Sequence, residues 1–323
     1  MEKTRKWRWG VNRWIILGHI ILSIIGVQII KPVQPHIQVA PENLTSEPLF
    51  TLPVIGDFYL SNTIVAMLIM DVVILVVAFL VRIGARKNGL VPKGIAGAFE
   101  MIVDTLYNMT ESTAGKYAKK VFPWFATILI IVLFANLIKL LPGFETVGLL
   151  HHSEHGYEIQ SLGQVWSTVV AQESHEGGYV VVPFARALST DLNFTLALAL
   201  ISVVMTQVIG VQAQGVRYFS KFLNFTTMFK KPFLGFMDFI VGLLETISEF
   251  SKILSFTFRL FGNMFAGMVL MALVGVMVPI FVPSLIMFFE LFIGAIQAFV
   301  FGMLTLTFMA QATQGHSGEA EHA

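Results

Sequence analysis

The stretch SFTFRLFGNMFAG, residues 255–267, decides how this chain is read. It puts one arginine, Arg259, inside a long apolar segment, with no further lysine or arginine before the C-terminus. An arginine deep in a membrane costs about +2.5 to +3.5 kcal/mol on insertion scales. A lysine escapes that cost by losing its proton, but a guanidinium keeps its charge. Such a residue marks a functional site and calls for an anionic partner. On a helix Ser255, Arg259 and Asn263 share a face at i, i+4 spacing, and steps of seven backwards reach Lys252 and Glu245. Gly262 and Gly267 are small residues of the kind that let another helix approach. The plainer reading is an arginine paired inside a bundle or snorkelling to an interface. Snorkelling is disfavoured, because apolar sequence runs on far beyond it.

Composition agrees with a membrane setting. The 323 residues are 55% hydrophobic and only 13% charged, with mean hydropathy +0.75. A soluble domain carries about 25% charged residues. A net charge of +1 argues against a nucleic-acid partner, and the absence of cysteine excludes disulfides and thiolate metal sites. The many phenylalanines and methionines suit lipid and helix surfaces and imply no cofactor.

Six membrane elements are expected. Lys3, Arg5, Lys6, Arg8 and Arg13 precede an apolar run, 14–30, read as a first span. A signal peptide is the alternative, but no small-residue cleavage site closes the run and Lys31-Pro32 follows. Residues 31–57 form a proline-rich outer loop. The second span, 59–81, holds Asp71, either hydrogen-bonded between helices or bordering a water path. Arg82, Arg86, Lys87 and Lys93 make a basic inner loop. Ile95, Phe99, Ile102, Leu106 and Met109 then give the three-and-four spacing of an amphipathic surface helix, with Glu100, Asp104 and Glu111 elsewhere on it.

The third span, 122–141, carries Asn136 near its outer end, and Lys139 there is expected to snorkel beside Pro142-Gly143. A long polar loop, 143–189, follows, with Glu145, Glu154, Glu158, Glu173, Glu176 and the histidines 151, 152 and 155. HHSEH has spacing that suits a metal, but a solvated cluster is the ordinary outcome. The fourth span is 192–211, and Arg217, Lys221, Lys230 and Lys231 return the chain to the basic side. Basic and acidic loops alternate, which places both termini in the cytoplasm. The segment 233–278 has no internal proline and reads as helix roughly 70 Å long, against a bilayer core of about 30 Å. It must break or lie strongly tilted. Pro279 and Pro283 mark the turn, and 284–309 returns. Glu245, Glu249, Lys252, Ser255, Arg259 and Asn263 follow one another in depth. Glu290, Gly294, Gln297 and Phe301 line one face of the last helix, with Thr305 further in, so the two helices carry a polar seam.

RLFGN (259–263), GAIQAF (294–299) and PFARALSTDLNFTLALAL (183–200) resemble, in order, three motifs of subunit a of F-type ATP synthases. The similarity covers about 58–309, which divides the chain into an N-terminal arm, first helix and outer loop (1–57), a channel domain (58–314) and a tail (315–323). The resemblance implies an all-α membrane fold whose last two helices lie tilted against a rotor ring of c subunits. It also implies peripheral-stalk b-type subunits and the rest of the synthase as partners, in a lipid bilayer, with no cofactor or metal. The subunit would be non-catalytic, passing protons through two offset half-channels. On that resemblance Arg259 separates the half-channels, Asn263 and Gln297 are its polar neighbours, Glu245 lines the cytoplasmic side, and Ser255 and Asn136 match polar positions. Glu249, Lys252 and Asp71 are further candidates. The family often pairs a carboxylate with a histidine. Met268 stands at the first of those positions and Glu290 at the second, so half the pair is missing. A secondary transporter with an ion or solute site at Arg259 is the competing reading, disfavoured because the halves show no repeat. A purely structural anchor is disfavoured by the aligned polar groups.

Overall fold

The computed structural model describes residues 9–30, 33, 37–45, 47–53, 56–87, 94–141, 143–153, 156–163, 166–173, 177–222, 232–280 and 282–314. The expectations for Lys3, Arg5, Lys6, Arg8, Lys31, Lys93, Glu154, His155, Glu176, Lys230, Lys231 and the tail lie outside them. Seven α-helices occur among the described residues: α1 (Trp9–Ile30), α2 (Asn62–Lys87), α3 (Ile95–Ala114), α4 (Ala118–Ile138), α5 (Leu192–Gln214), α6 (Pro232–Met277) and α7 (Val282–Thr313). Five helical segments, Asn62–Arg86, Ala96–Ile138, Leu192–Ser220, Phe239–Met277 and Val282–Thr313, are long and apolar enough to cross a membrane. Within α1 the apolar stretch is shorter, Ile16–Gln28.

The amphipathic helix α3 does not stand apart from the next span. It runs through a single 3-10 turn, Gly115–Tyr117, into α4. Gly115 takes φ 52° at that joint, a conformation costly for any residue with a Cβ. Ala96, Leu106, Thr110 and Ala114 of α3 are buried, with Leu106 and Ala114 packed against α4 and α7. The 46-residue α6 is unbroken, about 69 Å long at 1.5 Å per residue. Residues 278–280 follow it, and Gly26 of α1 lies against Ile280 there.

The centre of the bundle is the contact of α7 with α4. A Cβ at Gly302 would lie 3.0 Å from Leu129 Cβ, and one at Gly294 would lie 3.1 Å from Asn136 Cβ. Small residues thus let the two backbones approach closely, as helices do where lipid offers no hydrophobic drive. Phe125, Val132, Leu306 and Met309 fill the seam, and Phe256 of α6 meets Phe301 at 4.9 Å between ring centroids.

The chain is mostly helical, as expected of an all-α membrane protein, but the segment expected as an irregular polar loop is not one. It folds as a four-stranded antiparallel sheet of β3 (Gly148–Ser153), β4 (Tyr157–Ser161), β5 (Ser167–Glu173) and β6 (Gly178–Pro183), in the order β3-β6-β4-β5. A small hairpin, β1 (Phe50–Leu52) and β2 (Gly56–Phe58), precedes α2. The strand signal was present in Ser167-Thr-Val-Val and Tyr179-Val-Val-Val. Scattered histidines and glutamates obscured it. The i, i+4 pair of the HHSEH cluster is His151, on β3, and His155, which lies outside the described residues. His152 meets Tyr179 edge to face at 5.5 Å.

Candidate functional site

The expected face of α6 forms. Phe256, Leu260 and Met264 turn into the bundle and are buried, while Ser255, Arg259 and Asn263 are exposed, flanked by Leu254 and Phe258. Arg259 makes no hydrogen bond or ion pair among the described residues. Its charge faces away from this chain's own core. Asn263 joins this face to α7: its Nδ2 donates to Gln297 Oε1 at 2.8 Å. Gln297 is 5% exposed, and its Nε2 has no partner among the described residues. Glu290, Gly294, Gln297 and Phe301 are all buried on one face of α7.

One buried cluster lies on the side of the β3–β6 sheet. Lys139 does not snorkel. Its Nζ lies 3.3 Å from Glu290 Oε2, with the side chains 5% and 10% exposed. The nearby carboxylate offers a better partner than a distant interface. Glu290 Oε1 has no partner among the described residues. It sits over Gly267, where an added Cβ would come within 2.6 Å of it. Asn136, fully buried, donates from Nδ2 to Gly294 O at 3.0 Å and accepts at Oδ1 from the Ser189 hydroxyl. It therefore clamps α4 to α7 and to the turn before α5.

Glu145, seven residues past the end of α4, accepts from the Ala187 N–H at 2.8 Å. Burial pushes its carboxyl above the ordinary value. The Ala187 bond, Lys139 and Arg186 oppose that rise, and the charge of Glu290 adds to it. Arg186, 5% exposed, donates to the carbonyls of Ala40 at 2.7 Å and Gln38. Burial lowers its pKa, against the pull of Glu145, Asp191 and Glu42.

A second cluster lies toward the 215–221 turn. Lys252 Nζ meets Glu249 Oε1 at 2.8 Å and lies 4.6 Å from the Phe308 ring centroid. Gln207 Nε2 donates to Glu249 Oε2 at 3.0 Å, and the Tyr218 hydroxyl donates to Gln207 Oε1 at 2.7 Å. Ser202 and Thr305 bond between α5 and α7 at 2.8 Å. Glu245 is half-buried one turn before Glu249. Arg259 lies ten residues from Glu249 and eight from Gly267, or about 15 Å and about 12 Å along α6. The two clusters thus flank the arginine.

Asp71 stands apart from both. It is exposed on α2 among Val72, Leu75 and Val76. Sequence reasoning missed Gln207, Tyr218 and Ser189, counted Glu145 only among loop acids, and gave Lys139 the wrong surroundings. A glutamine inside the fourth span and a lysine closing the third were the available signals.

A family model described as ATP synthase A chain matches residues 64–310. The ATP synthase subunit a of Helicobacter pylori is 30% identical over 267 residues, covering 81% of this chain and 97% of its own. That of Moorella thermoacetica is 25% identical over 262 residues, covering 81% and 95%. A subunit of Propionigenium modestum named "ATP synthase subunit a, sodium ion specific" is 26% identical over 328 residues, covering 95% of each. With an exposed arginine between two ionic clusters and five helices fit to cross a membrane, this chain belongs to the ATP synthase A chain family, the subunit a of F-type ATP synthases, and is a multi-pass membrane component of that complex.

Proposed function

We propose that this chain is the stator channel of the synthase, carrying protons to and from carboxylates on a rotor ring of c subunits through two offset half-channels. The arrangement that carries the reading is Arg259, exposed and without a partner among the described residues, with a buried ionic cluster on one side along α6 and a part-buried one on the other. A fixed cation facing outward fits a carboxylate delivered by another chain. It favours ionisation of any carboxylate within about 4–6 Å. The same charge repels a proton moving directly between the clusters, so protons must travel with the ring. Glu290, Lys139 and Asn136 belong to the outer half-channel. Glu249, Lys252, Gln207 and Glu245 belong to the inner one, and Asn263 and Gln297 border the arginine. The membrane potential supplies about 2.3 kcal/mol per charge per 100 mV.

In this reading the subunit is non-catalytic, and α6 and α7 lie steeply inclined against the ring. The b-type peripheral stalk holds the chain in the lipid bilayer of the cell membrane, with both termini cytoplasmic. Family membership weighs against a secondary transporter with its own solute site. The test is Arg259→Ala in the whole complex reconstituted in vesicles, with ATP-driven acidification read by a pH-sensitive dye. Assembly should persist and pumping should cease, and Arg259→Lys should fail as well, since lysine lacks the planar fork and can lose its proton. Pumping at parental rates by Arg259→Ala would overturn the assignment. Running the assay with and without sodium reads the ion, because one relative is named sodium ion specific.

A further inference from the structure

The geometry points to Lys139 and Glu145 as working parts of the outer half-channel: Lys139 is a positioning cation between two carboxylates, and it sets the proton affinity of Glu290 in place of the partner missing at Met268. The inference rests on the channel reading above, gives Lys139 a definite task within it and adds Glu145.

Glu290 is met from every side by definite groups. From α4 comes Lys139, 3.3 Å from Oε2. From α6 comes Gly267, which carries no charge and leaves Oε1 buried with no hydrogen-bond partner among the described residues. From the segment after α4 comes Glu145, which feels the charges of both Lys139 and Glu290. The segment before α5 brings Arg186, engaged with Ala40 and Gln38, and Asp191, whose carboxylate caps α5 through the Asn193 N–H at 2.8 Å. Arg259 is about 12 Å further along α6. Arg186 is a second cation, drawn on by Glu145, Asp191 and Glu42, so four carboxylates face two cations and the space has room for a proton. Glu290 Oε2 is occupied by Lys139, so the proton resides on Oε1, the oxygen that faces Gly267.

The step balances without any other reagent. A hydronium ion from the outer side gives its proton to Glu145 or directly to Glu290 Oε1 and leaves as water. Glu290 then passes the proton to the rotor carboxylate and returns to its pairing with Lys139. Lys139 supplies charge and orientation and does not carry the proton. Removing it takes a cation from beside Glu290 Oε2, whereas Glu145→Gln takes away a neighbouring negative charge, so the two variants act in opposite senses.

The experiment is ATP synthesis by the whole complex in proteoliposomes, at fixed potential, as a function of pH on the outer face. For Lys139→Met the alkaline fall of the rate should move to higher pH by about 1 unit or more, the scale of an opposite charge at this range. Lys139→Arg should restore the parental midpoint. For Glu145→Gln, which keeps an acceptor for the Ala187 N–H, the midpoint should move the other way, to lower pH. A merely structural ion pair would reduce the rate equally at all pH values. Unmoved midpoints in Lys139→Met and Glu145→Gln would overturn the inference. If Lys139→Met does not assemble, the direction of the Glu145→Gln shift decides alone. Glu290→Gln separates the two levels: if it blocks synthesis while the midpoints stay put, only the role of Lys139 and Glu145 fails. If it leaves synthesis at the parental rate, the channel role of Glu290 fails with them.

Discussion

Lys139 and Glu290 form a buried ion pair, Nζ to Oε2 3.3 Å, between the end of α4 and the first third of α7. Breaking a buried pair by removing one partner costs about 3–5 kcal/mol, because the other charge is left uncompensated. Glu290→Gln keeps the shape and an acceptor for Lys139 but cannot exchange a proton. ATP synthesis by the reconstituted complex should fall by about 10²-fold, the low end of what a positioned proton-transfer group contributes. Glu290→His should also fail, because an imidazolium would face the Lys139 ammonium. Glu290→His with Lys139→Gln should regain measurable synthesis, since imidazole titrates near pH about 6.5. Unchanged rates in Glu290→Gln would exclude a relay role.

Gly267→Ala should slow transport without preventing assembly. The new Cβ would lie 2.6 Å from Glu290 Oε1. A free carboxylate would swing aside, but this one is held by Lys139. Overpacking of this kind costs about 1–3 kcal/mol. Gly275 of the same helix has open space where its Cβ would stand, so Gly275→Ala should leave synthesis unchanged. Equal rates for the two variants, at equal amounts of assembled complex, would show that the contact does not matter.

The segment around Glu145 should open more easily as pH rises. Burial raises its carboxyl above the ordinary value of 4.5 in the folded chain. A raised pKa means that the folded state binds the proton more tightly. The stabilisation is therefore full below about pH 4.5 and is lost as pH climbs through the raised value. Hydrogen exchange of residues 184–191, corrected for intrinsic chemistry, should show protection falling over that window. Glu145→Gln should remove the dependence. A pH-independent opening in the parent would refute it.

Both termini should lie in the cytoplasm, with the sheet outside. The chain has no cysteine, so single cysteines at Ser161, exposed on β4, and at Ser317 report cleanly. An impermeant thiol reagent on intact cells should label the first and reach the second only after permeabilisation. The reverse pattern would invert the two half-channels.

The sequence by itself determined the membrane class, the family and the helical frame. Those follow from local properties: apolar runs of spanning length, the lone arginine in RLFGN, and i, i+4 spacing that puts Ser255, Arg259 and Asn263 on one face whatever they pack against. The seven-residue interval from Glu290 to Gln297 likewise predicted the shared buried face on α7. Tertiary structure alone decided which polar groups meet. Lys139 read as a snorkelling residue because its neighbours in sequence are Leu140, Leu141 and Pro142; the carboxylate that holds it comes from a helix remote along the chain. Glu145 read as one loop acid among several until the turn at Ala187 closed over it. Gln207, Tyr218 and Glu249 join across α5, its terminal turn and α6, so no spacing within one helix announces them. A charge buried in a bundle takes the partner that packing brings to it, and that partner is invisible in local periodicity.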